Sequence, residues 1–173
     1  MAETTEIRAE ELKNLLQTET EFENLLITEN LKGLFAEKKT FRNCTFMDCA
    51  ITGCFFEGAR FEGCNFYGCE VKLVEFKNAV FTGCTSTSRF VMCNFSHTTF
   101  NGTTFRRGYI ANSQIDLTQF TDVTFDGIWA KNLSILGPAL FENVLYTMGG
   151  ARCDEVEVQK ELFFKEFGNP CLS

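Results

Sequence analysis

Cysteine and histidine are the residues of this chain best suited to chemistry, as nucleophiles, proton carriers or metal ligands. The sequence has nine cysteines and a single histidine, His97. A Cys–His or Ser–His centre needs its histidine beside the nucleophile, and a structural zinc site commonly uses a Cys-x-x-Cys pair. The sequence contains no Cys-x-x-Cys pair. Seven of its cysteines instead follow a five-residue spacing with one slip. This spacing favours buried structural thiols over a catalytic, cofactor or metal site: Cys44, Cys49, Cys54, Cys64, Cys69, Cys84 and Cys93.

The element that must position these thiols is a repeat of five residues centred on a large apolar side chain. A period of five fits neither a helix nor a flat strand, whose faces repeat every 3.6 and 2 residues. It fits a coil with four sides, one pentapeptide per side and about twenty residues per turn. The predicted core centres are Phe41, Phe46, Ile51, Phe56, Phe61, Phe66, Val71, Phe76, Phe81, Phe90, Phe95, Phe100, Phe105, Ile110, Ile115, Phe120 and Phe125.

A small residue stands two positions before each centre, as in Phe61-Glu62-Gly63-Cys64-Asn65 before Phe66. Each pentapeptide therefore points one large and one small side chain inward, and its other three residues outward. The seven cysteines lie at the small inward position. His97 lies two residues after the Phe95 centre and is predicted to be an exposed histidine.

Placing one pentapeptide on each side predicts which centres stack. Side one begins at Phe41, side two at Phe46, side three at Ile51 and side four at Phe56. Ser86 falls at a predicted centre, but the next centre, Phe90, comes one residue too early for the five-residue spacing. The sequence therefore predicts either a shortened corner or a small outward loop near Ser86. Beyond Phe125 the series continues more weakly, through Ala130, Ile135, Leu140 and Leu145.

These pentapeptides resemble the pentapeptide-repeat family, closely over residues 41–128 and loosely to residue 148. The resemblance implies an all-β solenoid, a right-handed quadrilateral β-helix of about five coils, and it carries over no catalytic residues. The Phe41–Phe66 segment is also similar, more weakly, to the bacterial quinolone-resistance branch. The members of that branch imitate DNA and engage DNA gyrase and topoisomerase IV.

Both ends of such a coil need a cap. Residues 1–40 are predicted to form an N-terminal cap of two short helices, with Phe22, Leu25 and Leu26 on the second. Residues 149–173 are predicted to hold a third helix, which either caps the coil or forms a homodimer contact. The residues of that contact would be Leu162, Phe163, Phe164 and Phe167.

Charge and composition exclude several classes of function. The chain carries a net charge of −7, but residues 41–148 hold nine acidic and eight basic residues. There is no basic patch for direct nucleic-acid binding, and the near-neutral repeat imitates DNA poorly. There is no long apolar run for a membrane span and no signal-peptide core, which predicts a cytoplasmic protein; export without a signal peptide stays open.

The function expected from the sequence is a non-catalytic scaffold for a protein partner that the sequence does not identify. DNA mimicry directed at gyrase and topoisomerase IV is the alternative, and a secreted bacterial effector is the third hypothesis.

Overall fold

The chain forms a four-sided β-solenoid in the computed structural model, which describes residues 4–134, 137, 139–148, 151 and 152. One helix, α1 (Ala9–Leu15), lies near the N-terminus. The strands are β1 (Thr5–Glu6), β2 (Glu21–Glu23), β3 (Leu25–Ile27), β4 (Leu31–Lys32), β5 (Thr40–Arg42), β6 (Thr45–Met47), β7 (Ala50–Thr52), β8 (Arg60–Glu62), β9 (Asn65–Tyr67), β10 (Glu70–Lys72), β11 (Val80–Thr82), β12 (Thr85–Ser86), β13 (Arg89–Val91), β14 (Thr99–Asn101), β15 (Thr104–Arg106), β16 (Tyr109–Ala111), β17 (Gln119–Thr121), β18 (Thr124–Asp126), β19 (Trp129–Lys131), β20 (Leu140–Glu142), β21 (Leu145–Met148) and β22 (Ala151–Arg152).

Parallel pairing between successive coils builds the four faces of the rod. Face 1 is the seven-stranded sheet β2-β5-β8-β11-β14-β17-β20, and face 2 is the nine-stranded sheet β1-β3-β6-β9-β12-β15-β18-β21-β22. Face 3 is the six-stranded sheet β4-β7-β10-β13-β16-β19. Face 4 is held by single parallel bridges that run from Phe35 through Phe55, Glu75, Asn94 and Gln114 to Ser134. The seven strands of face 1 correspond to seven coils, more than the five expected from the sequence.

Stacked phenylalanine rings fill the interior. On face 1, Phe41, Phe61 and Phe81 pair in register, and the ring centroids of Phe61 and Phe81 lie 4.7 Å apart. The spacing of β-ladders, about 4.8 Å, brings equivalent rings into offset stacking contact. All seventeen predicted centres are buried, with at most 6% of each side chain exposed.

The first coil begins about twenty residues earlier than expected. The predicted second helix is wrong, and its residues form strands of the coil. Phe22 lies on β2 and stacks on Phe41 with centroids 5.1 Å apart, while Leu25 and Leu26 lie on β3. Their spacing imitates a helix face, but pairing with the next coil decides the outcome, since a helix this short is marginal without tertiary support. The first predicted helix is present as α1, and it covers the open coil end with Leu12.

The register also slips by one residue after the face 4 bridge of the sixth coil, between Ser134 and Leu140. Phe120 pairs with Phe141 and stacks on it at 5.0 Å, so the predicted centre Leu140 is wrong, and its side chain is 59% exposed. In the same way Phe125 pairs with Tyr146 instead of Leu145. The predicted centre Ile135 and the predicted C-terminal helix with its dimer contact (Leu162, Phe163, Phe164 and Phe167) lie outside the described residues.

The break at Ser86 is a shortened corner. Ser86 pairs with Phe66 and Phe105 and is buried, and Phe90 follows it by four positions instead of five. The Ser88 hydroxyl donates to the Phe66 carbonyl at 2.8 Å and accepts a hydrogen bond from the amide of Cys69 at 3.0 Å. The alternative of an outward loop is therefore wrong.

Candidate interaction surface

The seven repeat cysteines are buried, each with at most 3% of its side chain exposed. Five of the seven thiols donate to the carbonyl of the centre one coil earlier, as Cys64 does to Phe41 at 3.2 Å and Cys84 to Phe61 at 3.3 Å; the same bond is made by Cys44, Cys54 and Cys93. Thr98 and Thr118 make the same bond to Phe76 and to Phe95. The small inward position therefore takes any short donor that fits, which explains why Cys, Ser and Thr interchange there.

The remaining chemistry of these side chains is that of structural groups. The sulfur atoms of Cys49 and Cys69 lie 3.6 Å apart and contact each other inside the coil. Burial raises the pKa of Cys93 to about 12, which keeps its thiol protonated and therefore a poor nucleophile. His97 lies at an exposed corner of the coil with a φ of 58°. Within the described ranges, no three His, Cys, Asp or Glu side chains come together as a metal site.

An exposed apolar strip is the feature of the surface that the repeat itself does not require. It consists of Phe35, Phe55, Leu73 and Met92, whose side chains are 63%, 41%, 54% and 49% exposed. They contribute one residue to each of four successive coils, along face 4 and the corner between faces 3 and 4. The Phe35 and Phe55 rings stack on the outside of the rod, with centroids 5.1 Å apart and planes 7° from parallel.

Leu73 and Met92 occupy a backbone position where an apolar residue is unfavourable. Both have a φ of 56°, in the left-handed region. The left-handed conformation costs an L-residue roughly 1–2 kcal/mol, and Gly and Asn adopt this conformation most readily. The equivalent corners of the other coils carry those residues: Gly33, Gly53, Asn112 and Asn132.

A shallow groove of about 350 Å³ runs beside the strip. Phe55, Leu73 and Met92 form its apolar side. Its polar side carries Glu75 and Asn94, and the Asn94 amide donates to the Glu75 carboxylate at 3.1 Å.

Charges of opposite sign flank the strip. Lys32 and Lys72, both exposed, directly precede the corner on face 3. Glu37 and Glu57, also exposed, follow Phe35 and Phe55 by two residues on face 4, and exposed Lys77 holds the equivalent position in the next coil. The strip is therefore an apolar surface with a basic margin on face 3 and, over its first two coils, an acidic margin on face 4.

Comparison with known families agrees with the repeat. A family model described as pentapeptide repeats matches eight copies over residues 44–83. The parallel pairing of equivalent centres continues on both sides of that segment, from Phe22 to Phe141. The chain contains pentapeptide repeats.

Several solved structures resemble this chain. One is HetL, a pentapeptide repeat protein involved in heterocyst differentiation regulation from the cyanobacterium Nostoc sp. strain PCC 7120, with 6% identity, a TM-score of 0.42, and coverage of 80% of this chain and 94% of that chain. Another is trypsin-treated QnrB1, a plasmid-mediated fluoroquinolone resistance protein, with 15% identity, a TM-score of 0.28, and coverage of 87% and 89%. A third is Rfr23, a pentapeptide repeat protein from the cyanobacterium Cyanothece 51142, with 7% identity, a TM-score of 0.22, and coverage of 78% and 91%.

No curated protein matches this chain in sequence. None of the helices in the described part of the chain has the length and apolar character needed to cross a membrane.

Sequence reasoning did not find the apolar strip. The signal was present in the doublets Leu34-Phe35 and Phe55-Phe56, where an apolar residue stands in an outward position next to an inward one. Leu73 and Met92 carried a second signal, since apolar residues replace the Gly or Asn of the corner. Only the folded coil shows that these four outward positions lie on one side of the rod.

Proposed function

We propose that this protein is a non-catalytic scaffold that binds a protein partner through the apolar strip. The observation that carries the proposal is the strip itself. Eight large hydrophobic residues are exposed in the described part of the chain, and four of them form this strip. Contiguous apolar patches with a polar rim mark interaction sites in soluble proteins.

The strained corner supports a role in binding. Gly or Asn at Leu73 and Met92 would lower the backbone cost and remove exposed apolar area, so neither residue serves the stability of the coil. Sites that sacrifice stability in this way are typical of functional surfaces.

The experiment compares three forms of the full chain: wild type, Leu73→Asn/Met92→Asn, and the control Leu117→Asn. Leu117 is also exposed and has a φ of 53°, but it lies at a different corner, between faces 4 and 1. Proteins retained by the wild type from the native host are identified and their dissociation constants measured against all three forms.

We expect the double variant to bind the retained partner at least tenfold more weakly, with a thermal midpoint no lower than that of wild type, and Leu117→Asn to bind as wild type does. Equal binding by the double variant, or no partner retained by the wild type, would contradict the proposal.

DNA mimicry is not the function that we propose. It requires continuous negative potential along the rod. On face 1, however, the Arg42 guanidinium lies within 3.8 Å of carboxylates from Glu21, Glu23 and Glu62, so the acidic groups there are partly neutralised.

A further inference from the structure

The backbone groups of Phe55 and the Met92 amide, under the apolar strip, are paired along the rod axis with neighbouring coils. The amide of Phe55 donates to the carbonyl of Leu34 at 2.8 Å, and that of Met92 donates to Ala111 at 3.0 Å. The carbonyl of Phe55 accepts the amide of Ala36 at 2.8 Å. A peptide cannot extend the sheets from this wall by β-augmentation, so a partner must be held by side chains.

The spacing of the four apolar side chains decides between an extended and a helical partner. Three coil steps at about 4.8 Å span about 14 Å, and the sideways shift toward the corner adds slightly to this. Three turns of an α-helix span about 16 Å, with one apolar ridge residue per turn. Same-face residues of an extended strand are about 6.8 Å apart, so three such steps span about 20 Å and run out of phase with the coils.

We propose that the apolar strip binds one amphipathic α-helix of the protein partner, aligned along the rod axis; this rests on the proposed function. Four apolar residues of that helix, spaced i, i+4, i+7 and i+11, contact Phe35, Phe55, Leu73 and Met92. The margins set its orientation. Acidic residues of the helix face Lys32 and Lys72, and basic residues face Glu37 and Glu57.

The test uses a displayed library of random 16-residue peptides, selected on the immobilised full chain. The baits are wild type, Leu73→Asn/Met92→Asn and Leu117→Asn. We expect wild type and Leu117→Asn to enrich peptides with apolar residues at i, i+4, i+7 and i+11. We also expect the double variant to bind those peptides at least tenfold more weakly.

Two synthetic forms of an enriched peptide then test helicity and charge. Proline at the centre of the apolar stripe should abolish binding, because it breaks the helix. Exchanging the acidic and basic flanks should weaken binding several-fold, and the loss should shrink at high salt.

The inference is overturned if no peptide is enriched, if the enriched peptides alternate apolar and polar residues, or if central proline leaves binding unchanged. If the peptide selection fails but a protein captured from the host still needs Leu73 and Met92 for binding, the scaffold function stands and only the helical partner is wrong. The two failures are therefore distinguishable.

Discussion

At the scale of single residues, the small inward position has the clearest rules. The structure places mainly Cys, Ser, Thr or Ala there, with Val at Val74, and most donor side chains bond to the coil before them, as Cys93 does to the Val71 carbonyl at 3.5 Å. Burial raises the pKa of Cys93 to about 12, above the roughly 8.5 of an exposed thiol. The Cys93 thiol is therefore part of the packing, and its ionisation opposes folding.

The pH dependence of stability follows from this shift. Between about pH 9 and pH 12 the native Cys93 keeps its proton while the unfolded chain loses it, so the free energy of unfolding falls as pH rises. We expect Cys93 to account for a loss of about 2 kcal/mol between pH 8 and pH 10.

The matched variant is Cys93→Val, because Val74 occupies the equivalent position one coil earlier and is buried. Urea unfolding at pH 8 and pH 10 should show a smaller alkaline loss in the variant than in wild type. An equal loss in both proteins would show that Cys93 does not ionise on unfolding in this range.

At the scale of elements, the shortened corner after β12 is compensated by a larger side chain on the next face. Face 2 carries Ser86 between Phe66 and Phe105, where a ring is expected. Face 3 carries Phe90, where the neighbouring coils have Val71 and Ile110. The Phe90 ring meets Phe105 edge-on at 6.4 Å, which places it toward the gap above Ser86. Gly108 belongs to the same arrangement, since a Cβ there would lie 2.6 Å from the Ser88 carbonyl oxygen.

A double-mutant cycle tests this compensation. Ser86→Phe alone should cost about 1–3 kcal/mol by overpacking, and Phe90→Val alone about 2 kcal/mol through the cavity that it leaves. The loss of unfolding free energy in the double variant should be about 1 kcal/mol smaller than the sum of the two single losses, measured by urea unfolding. Strictly additive losses would mean that the two side chains do not share the space.

At the scale of the whole molecule, each coil contacts only its neighbours. Equivalent residues are about twenty positions apart all along the rod, as in the pairing of Phe100 with Phe120. Stability is then close to a sum over coils and their interfaces. The rod should still fold after deletion of a complete coil, and it should not fold after deletion of part of a coil.

Deletion of residues 100–119 removes one complete coil and leaves the apolar strip intact. We expect a folded protein with cooperative urea unfolding and an m-value lower by about one seventh, since m follows the surface exposed on unfolding. Deletion of residues 100–114 is the control; it removes three sides, puts the four faces out of phase and should prevent folding. If the shorter deletion folds as well as the longer one, the register of the faces does not hold the rod together.

The repeat was readable from the sequence because it depends on local periodicity. Phe41, Phe61 and Cys64 are spaced as a four-sided coil requires, and each inward position needs only its own size and polarity to be right. The fold class, the buried centres from Phe41 to Phe125 and the place of the slip near Ser86 follow from that periodicity alone.

The tertiary structure decided the points where long-range pairing competes with local pattern. Phe22 joined the coil instead of a helix because it stacks on Phe41, nineteen residues later. Phe141 replaced Leu140 as a centre because its ring stacks on Phe120, while Leu140 stays exposed. The apolar strip likewise exists only once four coils are stacked, because Phe35 and Met92 share a side of the rod through the stacking of coils and not through any local spacing.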